Sequence, residues 1–134
     1  MKPLHQQEPV REVCAAALVQ LGKTCPSLKF AVMVSDDGFE VASAGSHAQQ
    51  GGRLASMTSS MQALGDAVAR EMKLAACDHI LLESINGHIL QRRIPNHELV
   101  MCAVFDHHEL VGRAVFATNE CASTVAANLM SRAA

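Results

Sequence analysis

The chain has 134 residues, 49% of them hydrophobic and 18% charged, with 21 alanines, four phenylalanines and neither tyrosine nor tryptophan. So high an apolar fraction, with charge below the roughly 25% of an average soluble domain, excludes a disordered polar chain. The length predicts one domain with a core of its own. Eleven Lys and Arg against 13 Asp and Glu, net −2, lack the clustered cations that neutralise phosphates, and four scattered Phe offer no stacking platform, so no nucleic-acid partner is expected.

Residues 1–8 are expected to be a flexible N-terminus preceding a single domain over 9–132. Pro9 opens a helical pattern in which Val10, Val13, Ala17, Leu18 and Leu21 recur every three or four residues, with Gly22 as a stop. Lys29–Ser35 is a predicted strand, and its continuous apolar run from Phe30 to Val34 predicts burial on both faces. Asp36-Asp37-Gly38 supplies a turn, since Gly accepts the positive φ that tight hairpins require, and Phe39–Ser43 alternates as a second strand. A loop over 46–52 leads into the longest helix, Arg53 to about Leu74. Strands are predicted at Asp78–Ile85 and His88–Ile94, joined at Asn86-Gly87, a strong hairpin signal. Pro95–Glu98 turns the chain into Leu99–Phe105, another strand buried on both faces, and a helix runs from about Leu110 to Arg132. The order is α-β-β-α-β-β-β-α, an α+β chain without repeats or linkers.

The long central helix is the most unusual segment. Leu54, Met57, Met61, Leu64, Val68 and Met72 form one apolar stripe at spacings of three and four. The positions between Ala55 and Ala69 outside that stripe are Ala, Ser, Thr, Gln, Gly and the single Asp66. A helix covered on one side only shows a Lys/Glu-rich back, and this one does not. It is therefore expected to be covered twice, by its own sheet and by something else.

No catalytic chemistry is legible. Gly22-Lys23-Thr24 looks like the end of a P-loop, but position 17 is Ala where that motif needs Gly. Neither GxGxxG nor GxSxG occurs. Cys77-x-His79 and Cys102 with His107-His108 do not make the paired halves of a structural zinc site, so no metal is expected, and His107-His108-Glu109 is read as a polar turn. Of the five Cys, an odd number without a CxxC, Cys14, Cys102 and Cys121 fall in apolar elements, while Cys25 is expected near the surface with no base beside it. Reduced thiols, the lack of an apolar segment in the first residues and the shortness of the apolar runs Val13–Val19 and Leu99–Phe105 predict a cytoplasmic protein without membrane insertion. Arg92-Arg93 is a small basic spot, read as a solvated strand face or, less readily, as a contact for an acidic partner.

Element order and residues together resemble the roadblock / dynein-light-chain domain, in particular its bacterial branch that controls Ras-like GTPases. The resemblance is carried by Ala31–Gly38 running into Val41-Ala42-Ser43, by the small-residue helix from Leu54, and by Asn86-Gly87, Leu99–Phe105 and Leu110-Val111-Gly112. It implies a five-stranded antiparallel sheet, profilin-like in shape, with the long helix on one face and the two terminal helices on the other. It further implies a homodimer with third strands edge to edge and long helices side by side, no catalytic residues, no cofactor, and a small GTPase or a motor complex as partner. On that basis Leu54, Met57, Met61, Leu64 and Val68 are expected to bury against the sheet or a sister helix, and His79, Leu81, Glu83 and Ile85 to lie on the paired strand. A non-catalytic regulator or scaffold is the leading expectation, and a ligand-sensing profilin- or PAS-like module, its sheet cupping a small molecule, is the alternative.

Overall fold

The computed structural model describes residues 2–46 and 51–133, so most of the loop expected over 46–52 lies outside the described residues. Helix α1 spans Glu8–Thr24, with Pro9 in its first turn, where a missing N–H costs nothing. Gly22 does not stop it, in contrast to the expectation. The helix runs two residues further and ends where Pro26 forces Cys25 into an extended conformation, the Cys25 amide still bonding to the Leu21 carbonyl at 2.8 Å. Ahead of it, in the stretch expected to be flexible, Leu4–Gln6 form a single 3-10 turn whose His5 ring stacks on Phe39 at 4.5 Å.

Strands β1 (Leu28–Ser35) and β2 (Glu40–Gly45) are joined by a turn in which Gly38 has φ 90°, as its sequence demands. Helix α2 spans Gly51–Glu71, and β3 (His79–Ser84), β4 (Gly87–Arg93), β5 (Leu99–Asp106) and α3 (Val111–Ala133) follow. The β3–β4 turn differs from expectation. Ser84 pairs with Gly87, so Ile85 and Asn86 are the turn residues, and neither has positive φ. Gly87 is required for another reason: a Cβ there would strike the Phe105 carbonyl oxygen of β5.

All pairings are antiparallel, in the order β2-β1-β5-β4-β3. The central β1 and β5 are the two continuously apolar strands, and Phe30–Ser35 and Leu99–Ala103 are buried throughout. Side-chain alternation splits them between two layers. Ala31, Met33, Leu99, Met101, Ala103 and Phe105 join Cys14, Leu18 and Leu21 of α1 and Ala117, Val125 and Leu129 of α3 in the larger core. Phe30, Val32, Val34 and Cys102 face α2, where Ala55 is the fully buried apolar contact. Each Leu or Met side chain fully buried in the larger core contributes about 1.5–3 kcal/mol.

Candidate functional site

Helix α2 rests on the sheet through small and polar side chains. Ala55, Thr58, Gln62 and Ala69, spaced for one helical face, are buried. Buried polar groups need partners, and β4 supplies those of the Thr58 carbonyl and Gln62 Oε1, while Thr58 Oγ1 and Gln91 Oε1 have none among the described residues. The Gln91 side-chain amide donates to the Thr58 carbonyl at 3.1 Å and to Gln62 Oε1 at 3.0 Å. Gln62 Nε2 donates to the Cys77 carbonyl at 3.0 Å, and the Cys77 amide donates to Asp66 Oδ1 at 2.9 Å. Asp66 Oδ2 then pairs with Arg93 at 2.6 Å, both side chains being about one-quarter exposed. Thr58, Gln62 and Asp66 are successive i, i+4 positions, so one row of the helix is bonded to β4 and to the segment entering β3.

This row decides where the apolar stripe points. Leu54 and Met61 are half-buried, whereas Met57 is 52% exposed, Leu64 67% and Val68 55%, and Met72 and Leu74 beyond the helix are also exposed. The stripe therefore lies along the flank of α2, not under it. Next to it runs β3, an edge strand that packs on β4 and, among the described residues, presents an unpaired row of backbone groups on its other side. Register gives its two faces. Ile80 lies opposite Gln91 and Leu82 opposite Ile89, so both share the face of α2; His79, Leu81 and Glu83 face the other way, opposite Arg92, Leu90 and His88. Ile85, at the hairpin tip, is 99% exposed. Of the residues expected on the paired strand, His79, Leu81 and Glu83 lie on β3 and Ile85 just past its end. The β3 side chains on the α2 side are Ile80 and Leu82, which the expectation did not name.

The remaining candidates are accounted for within the chain. Arg93 is the partner of Asp66, and Arg92 lies 3.4 Å from His79 Nδ1, with burial lowering the pKa of its guanidinium. The His107 and His108 rings lie tilted to each other with centroids 4.0 Å apart in the turn before α3, and the His108 amide, donating to Asp106 Oδ1 at 2.8 Å, heads the causes that hold the Asp106 carboxyl low. Among the described residues no group of three or more His, Cys, Asp or Glu is placed to hold a metal, and no helix is long and apolar enough to cross a membrane. Cys25 corrects the expectation of a surface thiol. It is fully buried, with Glu109 and Arg113 beside it, and burial is the main cause raising its pKa. Burial likewise pushes Cys14 up to about 12 and Cys102 and Cys121 up to about 11. These thiols are protonated packing groups.

No family model matches the chain, and no curated protein matches it. Solved structures do. MglB of Myxococcus xanthus superposes with a TM-score of 0.79 at 18% identity, over 92% of this chain and 89% of that one. The gliding protein MglB of Thermus thermophilus gives 0.79 at 15% identity, over 91% of each chain. A Roadblock/LC7 domain from Streptomyces avermitilis gives 0.78 at 14% identity, over 86% of this chain and 96% of that one. The fold is that of the roadblock/LC7 domain. Within this roadblock fold the α2 flank and the β3 edge form one continuous apolar margin.

Proposed function

We propose that the protein is a cytoplasmic, non-catalytic homodimeric regulator or scaffold that binds a separately encoded Ras-like small GTPase. The observation that carries the homodimer is the margin itself. Met57, Leu64, Val68, Leu82 and Ile85 stand exposed beside an unpaired strand edge, an arrangement that costs free energy in water and invites both edge pairing and helix packing. The GTPase partner rests on the resemblance to GTPase regulators with this fold, and the gliding-protein neighbours support it. The sensor alternative would need a concave sheet, but the central strands β1 and β5 are covered by helices on both faces.

Two measurements test the proposal. Equilibrium sedimentation is expected to give twice the 14.3 kDa chain mass, and a monomer across the micromolar range would remove the homodimer. Pull-down from native lysate with GTP-analogue or GDP loading is expected to recover a P-loop GTPase identified by mass spectrometry. Recovery of none in either state would remove the partner.

A further inference from the structure

Strand β2 ends the sheet on the side opposite β3, and no described residue pairs with its outer edge. The direction of its backbone groups follows from the bond just past its end. There the Ser46 amide donates inward to the Lys29 carbonyl at 3.0 Å. Antiparallel pairing alternates from that point, so Ala44 and Ala42 bond to β1 while the amides and carbonyls of Ser43 and Gly45 point out of the sheet. Proteins commonly blunt such an edge with Lys, Pro or a bulge. β2 contains neither Lys nor Pro, and its one irregularity lies near Glu40, which leaves Ala42–Gly45 in unbroken register.

Beside this edge lies a trough of about 360 Å³, lined by one flank of α1 and by the four consecutive β2 residues Glu40–Ser43. Successive strand side chains point to opposite faces. A cavity that touches all four therefore runs along the edge and not across one face. Its lining carries three carboxylates, Glu8, Glu12 and Glu40, against the single guanidinium of Arg11. Arg11 lies 3.8 Å from Glu8, and Arg132 reaches Glu12 at 3.3 Å. Glu40 is exposed and makes no ion pair among the described residues.

We propose that β2 takes an extended, basic segment of another protein as a sixth strand, with Lys or Arg side chains seated in the trough. Main-chain bonds to Ser43 and Gly45 supply the pairing, and the carboxylates select the sequence. A second copy of this chain does not fit the same place. Symmetric β2–β2 pairing would bring two acidic troughs together, and the β3 edge has no Lys or Arg to offer. The site is separate from the α2–β3 margin and does not depend on the homodimer reading.

The probe is the peptide acetyl-Thr-Lys-Val-Lys-Val-Lys-Thr-amide, titrated into the isotope-labelled full chain and followed by backbone amide NMR. Saturable shifts are expected over residues 40–46 and 8–15, and the same peptide with Glu for each Lys should bind about tenfold more weakly. Ser43→Pro removes the outward N–H at a position where an edge strand accepts proline, and is expected to abolish binding while urea unfolding stays cooperative. Glu8→Lys combined with Glu40→Lys changes only exposed side chains. It is expected to weaken binding about tenfold at low salt and less at high salt, and it keeps the test open if Ser43→Pro fails to fold. No saturation by millimolar peptide, shifts confined to α2 and β3, or equal affinity for the Glu peptide would overturn the proposal. So would β2 shifts that grow with protein concentration alone, since a second copy would then hold the edge.

Discussion

On the α1/α3 face of the sheet, Leu18, Met33, Leu90, Leu99, Met101 and Phe105 are almost fully buried, and the two helices close over them. On the α2 face, the buried apolar cluster is the small set Phe30, Val32, Val34, Ala55 and Cys102, beside the buried polar Thr58, Gln62 and Gln91, while the largest apolar side chains along α2 turn outward. The first face is held by apolar area. The second is held by a ladder of amide and carboxylate bonds through Gln91, Gln62, Cys77, Asp66 and Arg93. A ladder of that kind fixes the helix in position and leaves its apolar flank free, which is what a surface meant for another molecule requires.

The contrast can be broken most severely from the closed side. Phe105→Ala is expected to cost about 3–5 kcal/mol in urea unfolding, as expected for a large-to-small change in a sealed core. Alkaline pH acts on both faces through the thiols. Cys14, Cys102 and Cys121 hold their protons to about 12, 11 and 11 when folded, whereas an unfolded thiol ionises near 9. The unfolded chain therefore binds fewer protons above that pH, and stability present below about pH 9 is lost as pH rises toward 11, which a pH series of urea midpoints reads directly. On the α2 face, Asp66→Ala leaves Arg93 half-buried without its carboxylate and the Cys77 amide without an acceptor. It is expected to cost about 1–2 kcal/mol, and Asp66→Asn less, in the same unfolding assay. The smallest effect on the fold is expected from Leu64→Asp, within about 0.5 kcal/mol for an isolated chain. Sedimentation should nonetheless show the dimer lost, because an aspartate buried between two helices has no partner. A Leu64→Asp dimer as tight as the unaltered protein would show that the α2 flank is solvent surface.

Most of the fold could be read from the chain. The continuous apolar runs of β1 and β5 implied coverage on both faces, and the spacing of the helices implied their order. The candidate site was legible only in part. The sequence left open whether the Met57–Val68 stripe meets the sheet or a sister helix, because the residues that face inward instead, Thr58 and Gln62, are polar. Their position is settled by Gln91, about thirty residues later in the chain, a partner that no local periodicity reveals. Strand β3 was legible, but which of its side chains adjoin α2 was not, since that depends on its register with β4. Cys25 was misplaced for a similar reason: Glu109 and Arg113, which lie beside it, come from the other end of the chain.

The pairing of β1 with β5 carries a further consequence. Hairpins β1–β2 and β3–β4 join neighbours in sequence and can form within microseconds, but the contacts between Leu28 and Phe105 and between Ser35 and Leu99 close across roughly seventy residues. The two halves of the sheet are thus separate until that seam zips, with α2 lying inside the loop it closes. Loop-closure entropy is spent before the seam returns any burial, so the rate-limiting step of folding should be formation of the β1–β5 seam. Substitutions at Val32 or Cys102, which face each other across it, should slow folding more than equal losses in either hairpin.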